Sequence, residues 1–92
     1  MNKSFIKQVG TISEIDDLLT IKRVGREDLR KINFIFTSVD NQVHYPEIRD
    51  DKLILMDYVS EGDMVEIEFA MQGSQKNGKK YNNILINSIR KV

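Results

Sequence analysis

The sequence has no cysteine, no tryptophan, one proline and one histidine among its 92 residues. Without cysteine there can be no disulfide framework and no thiolate metal site. His44 alone cannot furnish a zinc centre. No apolar run approaches the ~20 residues that a membrane-spanning helix needs. The opening MNKSFIKQVG carries no hydrophobic signal region, so the cytoplasm is the expected compartment and the Asn2-Lys3-Ser4 sequon is disregarded. A chain of this length is read as one domain. It buries only about 60–65% of its unfolded surface, a thin margin that association with further copies would widen.

Net charge is zero, with 14 Lys and Arg against 14 Asp and Glu. The charges are nevertheless segregated. Residues 1–31 carry seven basic and five acidic side chains, residues 32–71 two and nine, and residues 72–92 five and none. The three segments therefore stand at +2, −7 and +5. A neutral chain so divided can still present a basic face to an anionic partner.

Alternation of apolar and polar residues marks the strands. Ser4 to Ile15 reads as one long strand, with Gly10 placed where a bend or bulge lets a first strand serve two sheets. Leu18 to Val24 resumes an extended pattern, with Leu19, Ile21 and Val24 as its inward candidates, and Gly25 to Asp28 forms a loop. Ile32, Phe34 and Phe36 give a second strand whose aromatic and β-branched content suits it. Gln42 to Arg49 gives a third, at an edge or bulged where Pro46 removes a backbone donor. Asp50 or Asp51 can cap a short helix over Lys52 to Val59, which would set Leu53, Met56 or the Leu55/Val59 pair against the core. After a turn at Glu61-Gly62-Asp63, Val65, Ile67, Phe69 and Met71 alternate along a fourth strand. Asn77-Gly78 suits a tight hairpin, and Tyr81 to Val92 returns as a fifth strand with Ile84, Ile86 and Ile89 as core contacts. Strand, strand, strand, helix, strand, strand is the order of an all-β, five-stranded Greek-key barrel with a short helix between its third and fourth strands.

Two motifs invite chemistry that their surroundings refuse. Gly73 to Lys80 nearly spells a phosphate-binding loop, but Lys80 stands where a hydroxyl must bind magnesium, and a strand follows where a helix must begin. Glu66 and Glu68 share a strand face without a second convergent group or an oriented nucleophile, so they are read as a wet outer face rather than an acid–base pair. His44 is read as a surface strand residue. No enzymatic activity and no cofactor are expected.

In Tyr58 to Asn87 the helix end, the Gly-polar turn, the alternating strand, the Lys- and Gly-bearing hairpin and the Tyr-led last strand together resemble the bacterial single-stranded DNA-binding proteins. A closer resemblance is to a small uncharacterised OB-domain family of bacteria and their phages. It is carried by Gly10, Arg30-Lys31, the run Pro46-Glu47-Ile48-Arg49-Asp50-Asp51-Lys52, Glu61-Gly62-Asp63, and Asn77-Gly78-Lys79 with Tyr81. The resemblance implies an OB-fold whose first inter-strand loop and last hairpin border one binding groove.

On that frame Lys22, Arg23, Arg26, Arg30 and Lys31 would meet Lys76, Lys79 and Lys80 along a phosphate track. Tyr45 and Tyr81 would be the rings on which bases stack. Phe34 and Phe36 share parity with Ile32 and are assigned to the core. The expected function is binding of single-stranded nucleic acid, DNA before RNA, with little sequence preference, by a homo-oligomer. The alternative is an OB adaptor that joins proteins in a replication or phage assembly without touching nucleic acid.

Overall fold

The computed structural model describes residues 4–92. Its elements are β1 (Ile6–Ile15), β2 (Leu19–Ile21), β3 (Leu29–Ser38), β4 (Val43–His44), β5 (Glu47–Arg49), a 3-10 helix (Asp50–Tyr58), β6 (Met64–Lys76) and β7 (Lys79–Lys91). The sheet order β1-β6-β7-β5-β3 returns to β1 through an additional β1–β3 pairing. The result is the expected closed five-stranded barrel, with β2 and β4 as short strands paired to β3.

Closure begins at Gly10. Its backbone pairs with Val65 of β6 on one side and Ser38 of β3 on the other. A Cβ built on Gly10 would run into the Thr37 carbonyl oxygen, and would stand 2.7 Å from the Phe36 ring and 2.8 Å from the Ser38 Cα. The residue is glycine because β3 presses against it, not because its own backbone is bulged. The β1–β3 register shifts three residues later, between Ile12 and Glu14.

Alternation then fills the barrel. Ile12, Phe34, Phe36, Ile48, Val65, Ile67 and Phe69 are buried, as are Ile86 and Ile89. The last two are three residues apart, a spacing that a regular strand would send to opposite faces. The β6–β7 register slips between Glu68 and Phe69, leaving Asn87 as the extra residue and returning both isoleucines to the interior.

Four expectations need correction. Leu19, Ile21 and Val24 do not face in; all three are exposed, because β2 pairs only with β3 (Leu19 opposite Lys31, Ile21 opposite Leu29). Met71 is exposed as well, since β6 and β7 continue past the barrel as a two-stranded arm whose residues 71–82 are all exposed. The third strand is broken at Tyr45-Pro46 into β4 and β5. The buried Pro46 has no N–H to give, but its carbonyl accepts from the Phe34 N–H at 3.2 Å.

The helix is the fourth correction. Neither Asp50 nor Asp51 caps it; Arg49 occupies the N-cap position without a side-chain bond. Asp50 instead has φ of 48° and its Oδ1 accepts from the Arg30 N–H at 3.1 Å, tying the helix start to β3. The nine-residue segment is 3-10 throughout. Leu53 and Met56, three apart, are aligned by a turn of three residues. Leu55 and the extended C-cap Val59 also pack on the core, so both of the expected sets face it.

Gly10→Ala should therefore destabilise the fold by at least the ~1–3 kcal/mol of an overpacked core, lowering the melting temperature by about 4–8 °C per kcal/mol. Gly73→Ala, where a new Cβ would meet nothing nearer than 3.9 Å, should leave the melt nearly unchanged. Thermal denaturation of the two variants checks the contrast.

Candidate nucleic-acid interface

The pairing registers decide where the basic groups fall. Lys31 is opposite Arg49, Asn33 is opposite Glu47, and Glu47 pairs with Leu85 across the single parallel bridge that joins β5 to β7. The β2–β3 hairpin, with Lys22, Arg23, Arg26 and Arg30, extends from the Arg49 end of this surface. The arm, with Lys76, Lys79 and Lys80 at its tip, extends from the other end, about 20 Å beyond Leu85 at ~3.3 Å per residue. The two groups thus stand at opposite ends of the β3–β5–β7 side, with the outward residues of β3 and β5 between them.

Their availability differs. Lys22 pairs with Asp28 at 3.7 Å, and the Arg23 Nε donates to the Glu27 carbonyl at 3.0 Å. Arg26 and Arg30 are exposed. Lys31 is half-buried, with its Nζ 3.5 Å from Glu47. Lys76, Lys79 and Lys80 are exposed and enter none of the salt bridges among the described residues. Tyr45 is 67% exposed on the β4–β5 link and Tyr81 47% exposed on the arm. Both rings are open to a flat partner. Phe34 and Phe36 are core residues.

Glu47 was not singled out from the sequence. It is 5% exposed, and its Oε2 lies 2.7 Å from the Arg49 Nε besides its contact with Lys31. Two cations thus flank this buried carboxyl group, so Lys31 serves the fold before any ligand. The only hint in the sequence is the alternation Glu47-Ile48-Arg49, which puts acid and base on the face opposite the buried Ile48. Glu66 and Glu68 do occupy the outer face of β6, though half-buried and engaged. Glu66 meets Arg90 at 2.9 Å, and Glu68 accepts from Asn87 and pairs with Lys7.

His44 is likewise less exposed than expected. Its ring stacks on Phe36 with centroids 6.4 Å apart, and its Nε2 is buried without a partner. The stretch Gly73 to Lys80 forms the expected hairpin, with Asn77 and Gly78 at φ of 53° and 77°. Among the described residues no three His, Asp or Glu side chains gather as metal ligands. No helix among them is long and apolar enough to cross a membrane.

A cleft of about 550 Å³ opens at the foot of the arm. Phe5, Ala70, Met71 and Leu85 give it apolar walls, and Glu47, Arg49, Asp50, Asp51 and Lys52 a charged rim. Arg49 is held by Glu47, and the Lys52 Nζ donates to the Asn87 Oδ1 at 3.1 Å. Asp50 and Asp51 are exposed and form no salt bridge among the described residues. The side between the two basic ends is therefore not uniformly positive: an acidic rim interrupts it.

Lys31→Ala should cost about 1–3 kcal/mol of stability, because it removes half of the compensation around a buried carboxylate. Lys79→Ala, on the exposed arm, should stay within about 0.5 kcal/mol of the parent. Urea denaturation of both variants reads the difference.

No protein-family model matches the chain, and no curated protein matches it. Solved structures do. A mitochondrial single-stranded DNA-binding protein from S. cerevisiae superposes with a TM-score of 0.64 at 14% identity, over 99% of this chain and 97% of that one. The dimeric N-terminal domain of PriB from Thermoanaerobacter tencongensis gives 0.54 at 17% identity, covering 96% and 94%. The small single-stranded DNA-binding protein from Streptomyces coelicolor gives 0.53 at 10% identity, covering 100% and 96%. Strand order, closure through β1 and likeness over the full length agree that this chain has the OB-fold found in single-stranded DNA-binding proteins.

Proposed function

We propose that the protein binds single-stranded nucleic acid, DNA in the first place, with little sequence preference and as an assembly of more than one copy. What carries the reading is the likeness in fold, over nearly the whole chain, to proteins described as single-stranded DNA-binding. The residues add a mechanism. Lys76, Lys79 and Lys80 enter no salt bridge among the described residues and can engage phosphates, while Arg26 and Arg30 offer a second cationic end. Tyr45 and Tyr81 supply exposed rings for stacking. Lys22, Arg23 and Lys31 are partly occupied by the protein itself and contribute less. Assembly is supported by the dimeric PriB domain among the similar structures and by the small core. Nothing in this mechanism calls for a catalytic step or a cofactor.

The adaptor reading draws on one specific observation, the acidic rim at Asp50 and Asp51 in the middle of the same side, which repels phosphate. Binding at low salt separates the two. Affinity for a single-stranded oligonucleotide should fall as salt rises, with a logarithmic slope of about −0.7 per phosphate engaged. Three phosphates would thus cost about 100-fold over a tenfold rise in salt. The triple change of Lys76, Lys79 and Lys80 to Ala should flatten the slope and weaken all sequences alike. Tyr81→Ala should cost about 1–3 kcal/mol of stacking with little change in slope. Fluorescence anisotropy across a salt series measures all three. An intact protein that fails to bind at low salt makes the adaptor reading the better one.

A further inference from the structure

The arm has one face that changes character from end to end. Residues directly opposite in an antiparallel pair share a face, and residues two apart on a strand share it too. Ala70 with Leu85, Ser74 with Tyr81, and Lys76 with Lys79 are such pairs, so all lie on the outward face. The Asn83 Nδ2 donates to the Ser74 Oγ at 3.1 Å across this face. At the foot the face opens into the cleft, which the apolar Phe5 and Leu85 line together with Asp50 and Asp51. Of the cations on the same rim, Arg49 is held by Glu47 and Lys52 by Asn87, while the two aspartates form no salt bridge among the described residues. At the tip it carries Lys76, Lys79 and the half-exposed ring of Tyr81. Foot and tip cannot meet within one chain, because the foot of the arm is itself a wall of the cleft and the tip stands about 20 Å further along the strands.

Such a surface complements itself in one arrangement. Two arms laid face to face and antiparallel bring each basic tip over the other's acidic, apolar foot, with a two-fold axis near mid-arm. This is an isologous contact that closes on itself. A parallel arrangement would set lysine on lysine and aspartate on aspartate. We propose that the β6–β7 arm is a dimerisation device, in which Lys76, Lys79 and Tyr81 of one copy seat in the cleft edged by Asp50 and Asp51 of a second copy. The proposal rests on the assembly part of the reading above; because nucleic acid would compete for Lys76 and Lys79, the contact is tested in its absence. It gives Lys76 and Lys79, which enter no salt bridge among the described residues, a counter-charge in the other copy.

The test uses the protein without nucleic acid, at tens of micromolar, by sedimentation equilibrium in low and high salt. The parent should sediment with the mass of two copies at low salt and move toward one copy as salt approaches ~1 M, where charges are screened beyond about 3 Å. One variant carries Lys76→Glu with Lys79→Glu, and another Asp50→Lys with Asp51→Lys. Each alone should sediment as a single copy at low salt, since its tip and foot then bear the same sign. An equimolar mixture should restore the two-copy mass, because each tip again meets an opposite foot. Asp50 also holds the Arg30 N–H, so the single change Asp51→Lys, paired with Lys79→Glu, repeats the exchange without touching that bond. A parent of one-copy mass at every salt overturns the proposal together with the assembly. Two-copy variants, or a mixture that stays at one copy, overturn the arm contact and leave the assembly to another surface.

Discussion

A single close approach governs this structure: the backbone of Gly10 lies against Thr37 and the Phe36 ring, with no room for a side chain. Through that contact β1 bonds to β6 and β3 at the same residue, and a curled sheet becomes a barrel. The irregularities elsewhere follow. The register shift after Ile12 lets β1 bend to follow β3, and the extra residue Asn87 lets β7 follow β6 around the curve. Each irregularity keeps isoleucine and phenylalanine inside while the strands turn, so the core is continuous from Ile12 to Ile89.

The fold also sorts the charges. Within the barrel wall, acids and bases are matched: Glu47 with Lys31 and Arg49, Glu66 with Arg90, Glu68 with Lys7, Asp63 with Lys91. Among the described residues the lysines at the tip of the arm, with Arg26 and Arg30 at the other end, enter no salt bridge, and neither do Asp50 and Asp51 at the foot of the arm. A net charge of zero therefore conceals a dipolar surface. Such a surface acts on a charged partner at a distance that salt controls. Nucleic acid and a second copy would draw on the same lysines, which makes the two forms of binding thermodynamically linked.

The barrel was largely legible because its information is local. Val65, Ile67 and Phe69 alternate, Phe34 and Phe36 do the same, and Asn77-Gly78 suits left-handed backbone at a hairpin tip. What escaped reading depends on which faces are covered. Leu19, Ile21 and Met71 have the period of inward residues, but period assigns a face and cannot say that the covering layer ends short of them. Leu53, Met56 and the Leu55/Val59 pair are legible as core candidates on a short helix, whereas apolar spacing over nine residues does not distinguish a 3-10 turn from an α turn. The residue types of the interface were readable for the same local reason. Their placement at opposite ends of one side follows from the Glu47–Leu85 bridge, and Glu47's burial follows from neighbours in three separate strands.

That bridge has a mechanical meaning. β6 and β7 are joined by a long antiparallel ladder, and β1 holds β3 and β6 through several registers, whereas β5 meets β7 at one residue pair. The barrel has a seam, and the seam runs along the cleft. Strain applied to the arm, by whatever grips it, would be concentrated there, since parting Glu47 from Leu85 breaks no hairpin, only a ladder of one residue pair. The wall would yield as a door yields at its latch, with Gly10 as the hinge side.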